Sequence, residues 1–238
     1  MPAASLFTAP VRRFSRDGYL LLPELLTDSE CRACARAAAP SATLSGGTRT
    51  MLQAAWCAAL VRRLRRHTAL APLLPEGAVA VQCTYFEKSV RRNWLVPWHQ
   101  DLCVPVAERV DHPALRAWSV KEGVTQVQAP AALLEQLVAV RLHLDDCGPQ
   151  DGPLRVLPGT HAAGVRPEGV RPEGASGAGG TAGAEAVTCT APRGSALLMR
   201  PLLLHASSKA SGASLRRVLH LLFAPPAPPH GLHWRDAV

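Results

Sequence analysis

His99 and Asp101 stand two residues apart in WLVPWHQD, the segment from Trp94 to Asp101. In an extended strand, residues i and i+2 point to the same face. An imidazole and a carboxylate would then project together into whatever cavity that face lines. Two thirds of a 2-His-1-carboxylate iron site would be in place, a ligand set that leaves coordination positions open for chemistry. The third ligand is sought in SALLMRPLLLHAS. Read as one strand, its alternation puts Leu197, Met199, Leu203 and His205 on one face, so His205 ends an apolar ladder and Ser207 shares its side. Arg216 follows eleven residues after His205, in LRRVLHLLFAP. An arginine deep in a barrel is costly unless an anion meets it, and a bound dicarboxylate would supply one through a bidentate pair. Both faces of that last strand are apolar, so alternation does not choose between Arg216 and Arg217.

These residues need a frame, and the chain supplies the pieces. FSRDGYLLLPELL, from Phe14 to Leu26, reads as an opening strand ended by proline. Thr27 to Glu30 has the T-x-x-E spacing of a capping box, which starts a helix running to about Ala39. A second helix is expected from Arg49 to about His67, with Met51, Ala55, Ala58, Leu60 and Leu64 near one stripe. Strands are expected at Ala78–Glu87, at the WHQD segment, at Val138–Asp145 and at LRVLPGTH. Residues 104–136 are mixed, with a short helix near Ala131–Leu137. Ala186–Thr190 and the two strands above finish the chain. Helices in front of many short strands predict a mainly β fold, an antiparallel β-barrel or jelly roll with a helical buttress.

Residues 162–186 differ from their surroundings, with a tandem GVRPE repeat followed by GASGAGGTAGAEA. Such composition reads as an inserted surface loop, with a lid as the less favoured role. The length of 238 residues suits one domain spanning 1–238. With 47% hydrophobic and 18% charged residues the composition is that of a globular protein. No apolar run reaches the length of a membrane span, and the N-terminus lacks the order of a signal peptide, so a cytoplasmic protein is expected. The formal charge of +8 is almost wholly arginine and suits an acidic ligand. No zinc-finger, helix-turn-helix or basic-aromatic pattern accompanies it, which argues against nucleic acid. The Arg62–Arg66 cluster reads as a dipole-matched helix end. Seven scattered cysteines read as reduced and structural, and Cys31-x-x-Cys34 lacks a second pair for zinc.

The order of these parts, HxD, then GPLRVLPGTH, then H-x-S with an arginine eleven residues on, resembles the phytanoyl-CoA dioxygenase family. FSRDGYLLLPELL and RGSALLMRPLLLHAS extend the resemblance over most of the chain outside the Gly-rich segment and the tail. It implies a double-stranded β-helix (jelly roll, cupin-like) core and an Fe(II)- and 2-oxoglutarate-dependent dioxygenase. Such an enzyme uses O2 to hydroxylate an unactivated C–H bond of a small molecule, releasing succinate and CO2. His99, Asp101 and His205 match the iron ligands. Arg216 matches the residue that pairs with the distal carboxylate of 2-oxoglutarate, with Ser207 assisting. Gln82, seventeen residues before His99, matches a further co-substrate contact. Only the family's spacing favours Arg216 over Arg217. The carboxylate of Asp101 favours hydroxylation, desaturation or ring closure over halogenation. Asp151-Gly152 stands where many members have Asn-Gly, which keeps the turn chemistry.

Other polar residues keep two readings each. Arg141 and His143 alternate on one strand face and bind substrate only if that face points inward. Tyr85, Lys88 and Asn93 lie on the approach to WHQD, as pocket or as core. His161 reads as a turn histidine, His220 as core, and His230 and His233 as a peripheral tail. Two rival functions remain: a 2-oxoglutarate-independent cupin-type metalloenzyme, which needs no dicarboxylate clamp, and a non-catalytic ligand-binding barrel, which usually loses a ligand. The basic balance suits an acidic or CoA-linked substrate.

Overall fold

The computed structural model describes residues 3–39, 47–167, 185–212 and 215–238. Most of the Gly-rich segment, with its suggested lid, lies outside them. A helix α1 (Ala3–Asp17) opens the chain where the sequence suggested the start of a strand. Pro10 inside it disguises the helix, and Gly18 ends it in the left-handed region at φ 77°, its N–H donating to the Phe14 carbonyl. Only Tyr19–Leu22 (β1) of the expected opening strand is extended. Helix α2 (Asp28–Ala38) starts at the capping box: Thr27 Oγ1 accepts from Glu30 N, and the Glu30 carboxylate accepts from Thr27 N at 2.8 Å. The next helix is shorter than expected. A 3-10 turn at Met51–Gln53 precedes α3 (Ala55–Arg65), which buries Cys57, Leu60, Val61 and Leu64 at i, i+3, i+4 and i+7 while Ala55 stays exposed.

The remainder is antiparallel β. Strands β2 (Val79–Lys88), β3 (Val96–His99), β4 (Cys103–Val106), β5 (Arg116–Lys121) and β6 (Val124–Gln128) lead to a single-turn helix α4 (Ala131–Leu134). Then come β7 (Val138–His143), β8 (Leu154–Val156), β9 (Val187–Cys189), β10 (Ala196–Met199), β11 (His205–Ser207) and β12 (Arg216–Ala224). A five-stranded sheet of order β1-β10-β7-β12-β2 lies against the helices, a four-stranded sheet of order β3-β11-β8-β9 faces it, and β4-β6-β5 form a third. This is the jelly-roll architecture with N-terminal helices.

Two expectations about strands fail. SALLMRPLLLHAS is not one strand: β10 ends at Met199, Leu203 N bonds back to the Arg200 carbonyl in a turn, and β11 begins in the other sheet. The mixed 104–128 region holds the β4-β6-β5 sheet, which its interspersed charges and turns had hidden. The tail is not peripheral either: Leu232 and Trp234 are buried, and Ala80 and Val238 exchange backbone hydrogen bonds.

One sheet separates two cores. Leu219, Leu221 and Phe223 of β12, Val138, Val140 and Leu142 of β7, and Cys83 and Tyr85 of β2 pack against the helices. The alternate residues point to the opposite face, because successive strand side chains alternate. Register puts Arg216 opposite Lys88, Val218 opposite Phe86, and His220 opposite both Thr84 and Arg141. This second face is the floor of a cavity.

Candidate active site

The cavity is about 480 Å³, within the size range of small-molecule sites. His99, Asp101 and His205 meet in it, with one potential ligand atom from each lying within 4.8 Å of the others. Two different elements produce this convergence. His99 ends β3 and pairs across the strands with His205, the first residue of β11, which sets the two rings 4.1 Å apart. Asp101 lies beyond the strand end, so the expected i, i+2 pleat does not place it. Its N–H is held by the Pro201 carbonyl at 2.9 Å. The intervening Gln100 donates to Leu202 O and Gly164 O and accepts from Arg166 N, tying this corner to two other segments.

The histidine tautomers follow from their partners. His99 Nδ1 lies 2.9 Å from the Pro97 carbonyl and His205 Nδ1 lies 2.9 Å from the Leu203 carbonyl. A carbonyl only accepts, so each Nδ1 carries the proton and each Nε2 keeps its lone pair. Those Nε2 atoms lie 3.6 and 3.7 Å from the two oxygens of Asp101. Burial would raise the Asp101 carboxyl, but its attraction to the imidazoles of His205, His99 and His220 when they carry charge outweighs burial and holds the group well below the usual carboxylate range. Burial lowers His205 to about 4, despite the opposing pull of Asp101. For His99 burial works against the charged ring, but the neighbouring Asp101 carboxylate favours it more, and the pKa rises. One carboxylate and two lone-pair nitrogens, each oriented by a backbone hydrogen bond, can hold a divalent transition metal.

The PGTH turn supports this corner from behind. Gly159 is left-handed at φ 76°, and the Thr160 hydroxyl bridges the Leu157 carbonyl and Leu204 N, next to His205. His161 bonds the Ser15 carbonyl away from the cavity, in keeping with a structural turn histidine.

The other expected residues sort by parity. Arg216 faces the cavity and is 2% exposed, with its guanidinium donating to the Gly152 carbonyl and its Nε without a partner. Arg217 faces away and forms a bidentate pair with Asp145 at 2.7 and 2.8 Å. Ser207 and Gln82 both line the cavity, with Gln82 donating to Thr84 Oγ1. Arg141 and His143 share the inward face. Arg141 lies over the Phe86 ring at 5.5 Å and borders the cavity, whereas His143 is buried with neither ring nitrogen partnered. Lys88 also borders the cavity; Tyr85 points to the helical core, and Asn93 clamps Ala210 through both its amide atoms.

His220 corrects the sequence reading, which placed it in the core. It lines the cavity with Nε2 4.0 Å from Asp101. The signal was available: His220 has the parity of Arg216, opposite to Leu219, Leu221 and Phe223. Among the described residues no disulfide joins any of the seven cysteines, and Cys31 and Cys34 both lie within α2.

Residues 14–218 match the model of the family described as Phytanoyl-CoA dioxygenase (PhyH). The chain belongs to the phytanoyl-CoA dioxygenase family. Membership carries with it the family's use of iron(II), 2-oxoglutarate and oxygen. The chain is similar to an L-proline trans-4-hydroxylase of Streptomyces griseoviridis, 28% identical over 255 residues covering 93% of this chain and 87% of that protein. Its fold is similar to that of SnoN, a non-heme alpha-ketoglutarate-dependent epimerase from nogalamycin biosynthesis. That match has a TM-score of 0.63 at 15% identity and covers 94% of this chain and 83% of the epimerase. HygX from Streptomyces hygroscopicus, solved with nickel and 2-oxoglutarate bound, matches with a TM-score of 0.59 at 16% identity over 92% of this chain and 87% of its own. Among the described residues, no helix is long and apolar enough to cross a membrane.

Proposed function

We propose that this chain, read as one domain over 1–238, is an Fe(II)- and 2-oxoglutarate-dependent hydroxylase of a small molecule. His99, Asp101 and His205 would hold the iron. Arg216 and Ser207 would take the distal carboxylate of 2-oxoglutarate, with Gln82 a further contact. The observation that carries this reading is the convergence of two oriented Nε2 atoms and one ionised carboxylate in a cavity that the buried Arg216 guanidinium also lines, its Nε without a partner. When bound, iron(II) with 2-oxoglutarate and oxygen supplies oxidative decarboxylation to succinate and CO2, together with the oxidising power to hydroxylate a C–H bond.

The protein's own share is orientation and exclusion of water. Backbone carbonyls of Pro97 and Leu203 fix both imidazole planes before any ligand arrives. Leu102, Leu134, Leu137 and Leu222 supply apolar wall. A cavity of about 480 Å³ suits 2-oxoglutarate plus a substrate of amino-acid size, in keeping with the proline hydroxylase relative, rather than a buried CoA thioester.

The test is a screen of small amino and carboxylic acids under labelled dioxygen. Substrate-dependent succinate release with one labelled oxygen atom in the product is expected. Succinate release with an isomerised or cyclised product of no added oxygen would overturn hydroxylation while keeping the oxygenase class.

A further inference from the structure

Arg141 is a buried cation to which neither the metal corner nor the co-substrate assigns an anion. It is 6% exposed and borders the cavity, and among the described residues its guanidinium meets no carboxylate and no hydrogen-bond acceptor. Register fixes where it reaches. Arg141 of β7 is opposite His220 of β12, and the ring that its guanidinium lies over, Phe86, belongs to β2 on the far side of β12. Strands about 4.8 Å apart make that a reach of roughly 10 Å across the cavity floor. Phe86 packs beneath Gly47, where a Cβ would come 2.6 Å from the ring, and Arg49, two residues on, lines the same cavity. The guanidinium is thus carried away from its own strand and out over the floor.

A second donor is idle. Gln126 of β6 is 3% exposed and lines the cavity, and its Nε2 has no partner. A buried guanidinium and a buried amide N–H left unmet both cost stability, which a ligand that accepts from them offsets. Charge points the same way. Among the described residues Asp101 is the only carboxylate that lines the cavity. Iron(II) and the two carboxylates of 2-oxoglutarate cancel one another, so Arg141 and Arg216 still outnumber Asp101, and a further anion is favoured. Burial and the charge of Arg216 lower the pKa of Arg141 to about 9, against the pull of Cys147 and Asp101, which leaves it charged at neutral pH.

We propose that the substrate carries a carboxylate and that Arg141 receives it, with Gln126 donating to the same group from the β6 wall. Arg141 is then the residue that selects a free acid over its amide. The inference rests on the function proposed above and narrows its substrate class. In that reading 2-oxoglutarate does not satisfy Arg141, because one of its ends goes to the metal and the other to Arg216 and Ser207. A planar guanidinium meets a carboxylate through two parallel N–H donors, a geometry that lysine reproduces only in part.

The test presents the iron(II) and 2-oxoglutarate complex with matched panels: small amino and carboxylic acids, and the primary amides of the same acids. Anaerobic perturbation of the visible chelate band reads binding, and stimulated succinate release reads turnover. At least one free acid should bind and stimulate release, about 10- to 100-fold better than its amide. Arg141→Met should weaken that acid by a similar factor and bring the acid-to-amide ratio to about 1. It should leave the affinity for 2-oxoglutarate, read from growth of the same band, within about threefold. Arg141→Lys should recover part of the preference. Amides that match their acids in the wild type, or a panel in which no acid binds, would overturn the proposal, and neither result needs a variant to fold. If Arg141→Met weakens 2-oxoglutarate as much as the acid, Arg141 is a co-substrate contact and the proposal also falls. A wild type that binds iron but forms no chelate band defeats the proposed function itself, which keeps the two failures apart.

Discussion

On the side of the five-stranded sheet that meets the helices, β12 presents Leu219, Leu221 and Phe223, packed against leucines and cysteines. On the other side the same strand presents Arg216 and His220, and its neighbours add Arg141, Lys88 and Thr84. Both faces are largely buried yet chemically opposite. The apolar face gains from removing surface from water, while the polar face leaves desolvated cations and an unpartnered histidine. The difference teaches where to look for function. Burial that the hydrophobic effect explains is structural, and burial that costs stability has to be offset by a ligand.

Substitutions on the two faces should therefore fail in different assays. The largest effect is expected at the head of the cavity. Asp101→Ala or His99→Ala should lower turnover by more than about 100-fold through loss of iron, with an unchanged circular dichroism spectrum and measured by metal content per folded chain. Leu221→Ala, on the opposite face, should cost about 2–5 kcal/mol in a denaturant titration while folded protein still binds one iron. Equal damage to stability from both kinds of variant would break the distinction between the faces.

The adjacent arginines sharpen it further. Arg216→Ala should raise the apparent requirement for 2-oxoglutarate by about 10- to 100-fold. Arg217→Ala should leave that requirement alone and cost about 1 kcal/mol of stability, because its bidentate pair with Asp145 is only partly shielded from water. The reverse pattern would mean that the wrong arginine has been assigned.

The smallest effect is expected at His143, whose pKa burial lowers to about 3, with Arg141 and Arg216 adding to it. An unfolded histidine titrates near about 6.5. Below that pH the unfolded chain takes a proton that folded His143 refuses, so its contribution to stability is present above about 6.5 and is lost as pH falls toward 3. His143→Leu should make the drop in melting temperature between pH 7 and pH 5 shallower. His220, lowered to about 4, remains to give part of the slope.

Much of the site could be read before the fold, for reasons that differ from residue to residue. His205, Ser207 and Arg216 were picked out by spacing together with the family resemblance, and all three line the cavity, although the single strand expected for SALLMRPLLLHAS breaks at Arg200 and crosses to another sheet. His99 and Asp101 were paired by strand alternation, yet Asp101 sits beyond the strand end and is placed by Pro201 and the anchors of Gln100. Their convergence depends on contacts about a hundred residues away, which no local pattern encodes. The capping box at Thr27 is local physics and was correctly placed to the residue. Helix α1 was hidden because Pro10 removes a backbone donor in its interior. His220 was read as core and Lys88 was left between pocket and core because parity along a strand has meaning only once one face is known to line a cavity.

Anaerobic titration with iron(II) followed by 2-oxoglutarate tests the convergence of His99, Asp101 and His205 most directly. One equivalent of iron should bind, and the visible chelate band should then grow with 2-oxoglutarate. In His205→Ala both should be lost while the circular dichroism spectrum is kept. Full iron binding and an intact band in that variant would contradict the site.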